Sequence, residues 1–312
     1  MDFQRLQTLF GARLQQNVQL ARLTSARVGG PADALLEVNS ADELAQAAET
    51  LWGEGLPWIV LGGGSNVLVS DAGVRGLVVL NRARQVRFEE FSQPPLVWAE
   101  SGANFGLVAR QAASRGLAGL EWATGIPGTI GGAVVGNAGA HGGEMAGNLA
   151  VAEILQRNPK AQEGLPNRES WPVERLEYAY RTCILKRLRG QTVVLGAALR
   201  LERSTPEAVQ RKIDEYVEFR RRTQPLGASM GSMFKNPAGD YAGRLIEAAG
   251  LKGARLGDAQ ISTLHANFFI NHGQATAADI WSLIEMARRS VAEQFGVDLE
   301  LEIELVGQWT GQ

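Results

Sequence analysis

Apolar residues recur along the chain at two spacings, and together they predict alternating helices and strands. Leu6, Leu9, Phe10 and Leu14 fall on one side of a helix over residues 1–22. After a turn at Gly29-Gly30-Pro31, a strand is expected over residues 34–38. Ser40 and Glu43 have capping-box spacing, and Leu44, Ala47, Ala48 and Leu51 follow at helical intervals. Residues 57–61 read as a buried strand running into Gly62-Gly63-Gly64-Ser65-Asn66, with further apolar runs at 67–69 and 76–80. Residues 86–100 read as two short strands around Pro94-Pro95, and residues 105–113 as a helix. Residues 151–155 and 193–201 read as strands on either side of a polar loop through Pro159 and Pro166. Thr205-Pro206-Glu207 supplies cap, proline and acid for a helix start, and Arg220-Arg221-Arg222 suits its C-terminus. Then come a Gly/Ser loop over 227–239, a helix over 241–249, a strand over 266–270 and a helix over 276–295. Val297, Leu299, Leu301, Ile303 and Leu305 alternate with Asp298, Glu300, Glu302 and Glu304, the pattern of a half-buried strand.

One stretch breaks both periods. EWATGIPGTIGGAVVGNAGAHGG, residues 121–143, holds eight glycines between Gly125 and Gly143. Ile126, Ile130, Val134 and Val135 lie among them, so the stretch is packed rather than a linker. Backbone both packed and bare lies against something large. That is either another element in a tight crossing, or a bulky anion toward which N–H groups turn. Gly62–Asn66 is a second glycine loop, at a strand end where α/β proteins bind ligands. It is neither GxGxxG, since Val67 takes the sixth position, nor a P-loop. Alone it reads equally as a turn. Two loops of bare N–H groups together fit the length of a pyrophosphate.

Composition narrows the class. At 312 residues the chain suggests about two domains. A net charge of −2 shows no footprint for nucleic acid or for a membrane surface. The single Cys183 allows no internal disulfide. The opening MDFQRLQTLFG has no apolar core, so no signal peptide is expected, and no apolar run reaches membrane-spanning length. A cytoplasmic protein is the expectation.

Several short patterns carry candidate chemistry. Gly227-Ala228-Ser229-Met230-Gly231 matches GxSxG, but a charged helix and Gln224-Pro225-Leu226 precede it where a nucleophile elbow needs a strand. Ser232, Lys235 and Asn236 offer a proton donor, a cation and an amide within five residues, or else an ordinary polar loop. Arg181 beside an apolar run is a candidate for bidentate carboxylate binding, or a surface ion-pair former. Cys183 has no activating neighbour in sequence and reads as buried packing. His141, His265 and His272 lack metal-ligand spacing, and no metal is expected.

In order along the chain stand TSARVGG at 24–30, LGGGSN at 61–66, GIPGTIGGAVVGNAGA at 125–140 and Tyr180-Arg181. Arg220-x-x-x-Gln224-Pro225-Leu226, GSMFKNP at 231–237, AGRLIEAAGLKG at 242–253 and Glu302-x-x-x-x-Gly307 follow. Each is weak alone. The eight in register resemble the UDP-N-acetylenolpyruvoylglucosamine reductase (MurB) family from about residue 20 to 307.

The resemblance implies an α+β flavoenzyme. Its FAD-binding region would be of the vanillyl-alcohol-oxidase/PCMH type, spanning residues 1–205 as two α/β lobes of about 1–82 and 83–205. A C-terminal α+β substrate-binding domain would span 206–312. The activity implied is NADPH-dependent, FAD-mediated reduction of the enolpyruvyl ether of a UDP-sugar to UDP-N-acetylmuramate, in peptidoglycan precursor synthesis. The FAD contacts implied are Gly62, Gly63, Gly64, Ser65 and Asn66, with Thr124, Gly125, Ile126, Pro127, Gly128, Thr129, Gly131, Gly132 and Ala133. Arg181, Ser232 and Glu302 match the family's catalytic positions. Arg181 would neutralise the substrate carboxylate, Glu302 would hydrogen-bond to it, and Ser232 would give the proton. Asn137, Arg220, Lys235 and Asn236 match substrate contacts.

The chain also departs from the family pattern. Thr182-Cys183-Ile184 stand where a small polar residue and an aromatic are usual, Glu304 where arginine is common, and His141 where an aromatic such as tyrosine is frequent. The short segment from Arg181 to Ser232 places the chain with the compact branch that lacks an inserted tyrosine loop. Two other readings use the same residues: a flavin oxidase acting on an alcohol or sugar, and a non-catalytic nucleotide-sugar binder.

Overall fold

A computed structural model describes residues 3–157 and 167–309. The chain begins with α1 (Phe3–Phe10), β1 (Leu14–Gln19), β2 (Pro31–Val38) and α2 (Ala41–Gly53). β3 (Trp58–Leu61), β4 (Val67–Val69), β5 (Val74–Asn81), β6 (Val86–Glu89), β7 (Leu96–Glu100) and α3 (Phe105–Ala113) follow. Next are β8 (Leu117–Ala118), α4 (Ile130–Gly136), β9 (Gly139–Ala140), β10 (Gly143–Glu144) and α5 (Met145–Asn148). Then come β11 (Leu149–Gln156), β12 (Asn167–Pro172), α6 (Ile184–Arg187), β13 (Thr192–Arg200) and β14 (Glu202–Arg203). The last third holds α7 (Pro206–Thr223), α8 (Ala242–Ala248), β15 (Arg255–Leu256), β16 (Ala259–Ile261), β17 (Phe269–Asn271), α9 (Ala277–Phe295) and β18 (Glu304–Val306). The class is mixed α+β.

The residues form two compact units. The first comprises residues 1–14, 35–63 and 76–219, and the second comprises 15–34, 64–75 and 220–312. In the first unit an antiparallel sheet runs in the order β12-β11-β13-β7-β6. α2 and α4 pack on its central strand, β13. Phe105, Trp122, Ile130, Val134 and Trp171 fill the core beneath it. β3 pairs in parallel with β5 through Trp58↔Leu77 and Leu61↔Leu80, which brings the chain to Gly62 at a strand end. In the second unit, α9 packs on the antiparallel β15-β16-β17 sheet and against α8. Phe234, Phe269, Ile280, Leu283 and Ile284 form its core, joined by Ala26, Val28 and Leu68 from early in the chain. β18 pairs in parallel with β4.

Several local expectations meet a different outcome. The helix expected over residues 1–22 stops at Phe10, because Gly11 takes a left-handed backbone at φ 62°. Residues 14–19 are then a strand with mostly exposed side chains. β3 is only half-buried, with Val60 39% exposed, rather than a buried strand. The strand expected over 266–270 forms only over Phe269–Asn271. Burial does alternate from Val297 to Leu301, yet strand pairing with β4 begins only at Glu304. The polar loop through Pro159 and Pro166 falls outside the described residues.

Candidate active site

In the first unit the two glycine loops meet backbone to backbone. A Cβ built on Gly63 would lie 3.1 Å from Gly128 Cα, and one on Gly62 would lie 2.7 Å from Thr129 Oγ1. Gly125 and Gly128 have φ of 83° and 125°, conformations that side-chain-bearing residues rarely adopt. Thr129 caps α4 by accepting the Gly132 N–H at 3.4 Å, while Gly131 donates to the Ser101 carbonyl at 2.8 Å. Gly131 has no room for a side chain, since its Cβ would sit 2.9 Å from Ser101 Cβ. The backbone N–H groups of Gly63, Gly125, Gly128 and Thr129 make no hydrogen bond with a described residue. Thr124 is fully buried, and its Oγ1 has no hydrogen-bond partner among the described residues. Both sequence readings of the glycines therefore apply: they make tight crossings, and they leave donors without internal acceptors.

Past α4, Asn137 ends the helix in the left-handed region at φ 44° and is 1% exposed. Its Nδ2 donates to Glu144 Oε2 and to the Ala179 carbonyl, both at 3.1 Å, and its Oδ1 accepts from Ala146 N–H at 3.0 Å. The side chain is committed to the fold. It pins a tight turn, Ala179–Thr182, closed by reciprocal backbone bonds of 3.1 Å. Arg181 sits in that turn at φ 57°, a strained backbone for arginine of the kind that clusters at functional sites. Its Nη1 donates to the Asn137 carbonyl at 3.5 Å and lies 3.3 Å from a Cβ built on Gly139. The arginine thus rests on bare backbone of the second glycine stretch. Cys183 is fully buried with Sγ 3.2 Å from the Val135 carbonyl, and burial raises its pKa, so it is packing and no nucleophile.

The second unit assembles another group. Residues 231–235 run as an extended loop between two neighbours. On one side Ser232 bridges Phe268, and Met233 N–H donates to the Asn267 carbonyl at 2.8 Å. On the other side Glu302 N–H donates to the Met233 carbonyl at 2.9 Å, and Lys235 N–H to the Glu300 carbonyl at 2.8 Å. Asn66 fastens the Glu302 segment from beneath: its Nδ2 donates to the Glu302 carbonyl at 3.1 Å, and its own carbonyl accepts from Glu304 N–H at 2.9 Å. Ser232 and Glu302 are therefore held by one hydrogen-bonded framework. The Ser232 hydroxyl is half-buried and makes no hydrogen bond with a described residue. The Lys235 ammonium pairs with the Glu300 carboxylate, and Asn236 Oδ1 accepts from Ala242 N–H at 3.1 Å, at the start of α8. Burial lowers the pKa of Arg220. In this unit Gly64 and Ser65 continue the first glycine loop; a Cβ on Gly64 would fall 2.1 Å from the Leu23 carbonyl oxygen. No strand precedes Ser229, and the next helix begins only at Ala242, so GxSxG forms no nucleophile elbow.

Comparison with known proteins decides the family. Residues 32–155 match a family model described as an FAD binding domain, and residues 223–306 match the UDP-N-acetylenolpyruvoylglucosamine reductase C-terminal domain. The chain is 47% identical over 296 residues to UDP-N-acetylenolpyruvoylglucosamine reductase of Chloroflexus aggregans, covering 94% of this chain and 97% of that one. The chain belongs to the MurB family. A second member, from Rubrobacter xylanophilus, is 47% identical over 303 residues, covering 97% of this chain and 98% of its own. The crystal structure of MurB from Thermus caldophilus superposes with a TM-score of 0.77 at 37% identity, covering 94% of this chain and 99% of that chain. The fold is mixed α+β, with a region matching an FAD binding domain followed by one matching the family's C-terminal domain. The chain is an FAD-containing oxidoreductase.

The residues present fit FAD. A phosphate-bearing cofactor needs N–H donors without internal acceptors and backbone it can approach closely. Gly63, Gly125, Gly128 and Thr129 offer the donors, and the three glycines carry no side chain to hold a ligand off.

Sequence reasoning missed two contributors: Asn267 and the capping role of Thr129. Asn267 carries no local motif of its own. Thr129 stands before a helix in which three of seven residues are glycine, so intrinsic propensity gives no sign of the helix it caps.

Proposed function

We propose that the chain reduces the enolpyruvyl ether of UDP-N-acetylglucosamine to UDP-N-acetylmuramate, using NADPH, in the cytoplasmic synthesis of peptidoglycan precursors. The observation that carries this reading is the near-full-length match to enzymes named for that reaction. Bound FAD supplies hydride chemistry. The chain's residues bind, orient and move a proton. Residues 62–66, 124–129 and 131–133 hold the cofactor. In the proposed site Arg181 binds the carboxylate of the enolpyruvyl group, where negative charge grows as the adjacent double bond is reduced. A planar guanidinium already fixed on a strained turn meets that charge without reorganising. Glu302, when protonated, hydrogen-bonds to the same carboxylate. Ser232 delivers the proton to the substrate carbon next to the carboxylate, its hydroxyl making no hydrogen bond with a described residue. Lys235, held by Glu300, places a cation three residues from Ser232. Lys235, Asn236 and Arg220 face the diphosphate in this reading, and Asn137 supports Arg181 from behind. The region 1–205 serves FAD, and 206–312 serves the substrate.

The test separates the half-reactions. NADPH should bleach the flavin of the holoenzyme anaerobically, and the enolpyruvyl sugar nucleotide should restore its colour. Ser232→Ala should keep the first step and block the second. Equal loss of both steps would remove Ser232 from the role of proton donor.

A further inference from the structure

His141 occupies the tip of the β9–β10 hairpin. Ala140 pairs with Gly143, and His141 and Gly142 are the two turn residues, with φ of 52° and 81°. Two positive φ values are the mark of a type I′ turn, which favours asparagine followed by glycine. Here a ring stands in the asparagine position, and it is not idle. It stacks on Tyr216 of α7 with centroids 4.2 Å apart and planes 8° from parallel, and it meets the edge of Phe219 at 5.5 Å and 80°. The hairpin is pressed from another side by Trp122, whose ring lies 2.3 Å from a Cβ built on Gly143. The base of the same hairpin leads back to Gly139 and Asn137, the backbone on which the Arg181 guanidinium rests. Asn137 then reaches the Ala179–Thr182 turn itself.

We infer that His141 is a positioning residue for Arg181, clamping the hairpin tip to α7 so that its base holds the arginine turn. The contacts form one chain: Tyr216 and Phe219 on the ring of His141, the two-stranded hairpin, then Asn137 and Gly139 on Arg181. Each link joins elements that are short or strained. The hairpin has two pairs of residues, and Arg181 and His141 both hold left-handed backbone. Such a hairpin is marginal alone and needs an external clamp. The planarity of the ring does this work, so an aromatic replacement should keep it and a polar residue of equal backbone tolerance should lose it.

This inference deepens the proposed function and rests on it where Arg181 is the carboxylate-binding group. The test uses holoenzyme carrying His141→Asn, His141→Phe, Tyr216→Leu, or His141→Asn with Tyr216→Leu. Asparagine tolerates the left-handed turn, so His141→Asn removes the ring without straining the backbone. Flavin reoxidation by the enolpyruvyl sugar nucleotide should slow in His141→Asn by about two- to tenfold, the range a stacked aromatic pair commands. Flavin reduction by NADPH should be spared, and His141→Phe should restore reoxidation. The double variant should lose no more than the worse single variant, because both act on one contact. A second readout needs no substrate. Amide hydrogen exchange over residues 138–144 and 179–182 should rise in His141→Asn and stay low in His141→Phe. Unchanged exchange over 179–182 in His141→Asn, or failure of phenylalanine to restore it, overturns the inference. If the substrate does not reoxidise even the wild-type flavin, the proposed function fails, and exchange still decides the role of His141.

Discussion

Asn267 offers the sharpest test of how the Ser232 loop is held. It is 3% exposed, and its amide imitates a strand: Oδ1 accepts the Phe234 N–H at 2.9 Å, and Nδ2 donates to the Phe234 carbonyl at 2.8 Å. Both bonds are buried. Asn267→Ala leaves a buried donor and a buried acceptor unpaired. At about 1–3 kcal/mol each, the loss should be about 2–6 kcal/mol. Asn267→Asp is nearly isosteric and more informative. The acceptor is retained, but a carboxylate oxygen now faces the Phe234 carbonyl with no proton between them. Protonation would rebuild the bond, so the aspartate pKa should be raised in the fold above about 3.9. A raised folded-state pKa means the native state binds the extra proton. The variant should therefore recover stability relative to wild type as pH falls. Urea unfolding of the holoenzyme at pH 7.5 and pH 5.5 measures this, and flavin reoxidation reports whether Ser232 has moved. An Asn267→Ala variant as stable as wild type would refute the reasoning. So would an Asn267→Asp deficit that grows on acidification.

Other outcomes follow from the same geometry. Gly63→Val drives a branched side chain onto Gly128 Cα and should yield folded protein depleted of FAD; a normal ratio of flavin to protein absorbance would contradict the cradle. Burial lowers the pKa of His265, whose Nδ1 accepts the Asn267 N–H at 3.2 Å. The imidazole must stay neutral in the fold, so its contribution to stability is complete above about pH 6.5 and is lost as pH falls below that value. His265→Gln should flatten that part of a stability–pH curve, and an unaltered curve would exclude His265 as its source. Asp71 accepts the Ala277 and Ala278 N–H groups at 2.8 and 2.9 Å, beside the Thr276–Asp279 capping box. Asp71→Ala should cost about 1–2 kcal/mol in urea unfolding, and no loss would show that Thr276 caps α9 alone.

Much of the fold was legible where local chemistry and tertiary structure agree. The pattern over 105–113 gives α3, and the helix expected over 276–295 forms as α9 with Thr276 capping it. Legibility fails where partners are distant in sequence. The alternation is real as burial from Val297 to Leu301. Its hydrogen bonds, however, go to the Met233–Lys235 loop and then to β4, and no periodicity names those partners. α4 was hidden for a different reason. Three of its seven residues are glycine, so intrinsic propensity opposes the helix; packing under β13 and the Thr129 cap make it. Of the residues proposed for the reaction, the glycine loops, Arg181, Ser232 and Glu302 were visible through motifs. The strained turn under Arg181 and the two-sided grip of Asn267 were not, because both arise from side-chain amides answering backbone groups far along the chain.

The core of the second unit bears on how this protein can be cut and inherited. Ala26, Val28 and Leu68 lie within the same apolar cluster as Phe234 and Ile284, and β18 finds its only parallel partner among the described residues in β4. A gene fragment starting near residue 206 would encode α7 through β18 and yet omit part of its own interior. Expressed alone, it would expose the faces that Leu68 and Val28 cover and leave β18 with an open edge. Such a segment cannot travel between genes as a self-sufficient cassette. Separating it from residues 15–34 and 64–75 removes part of the core it is built on.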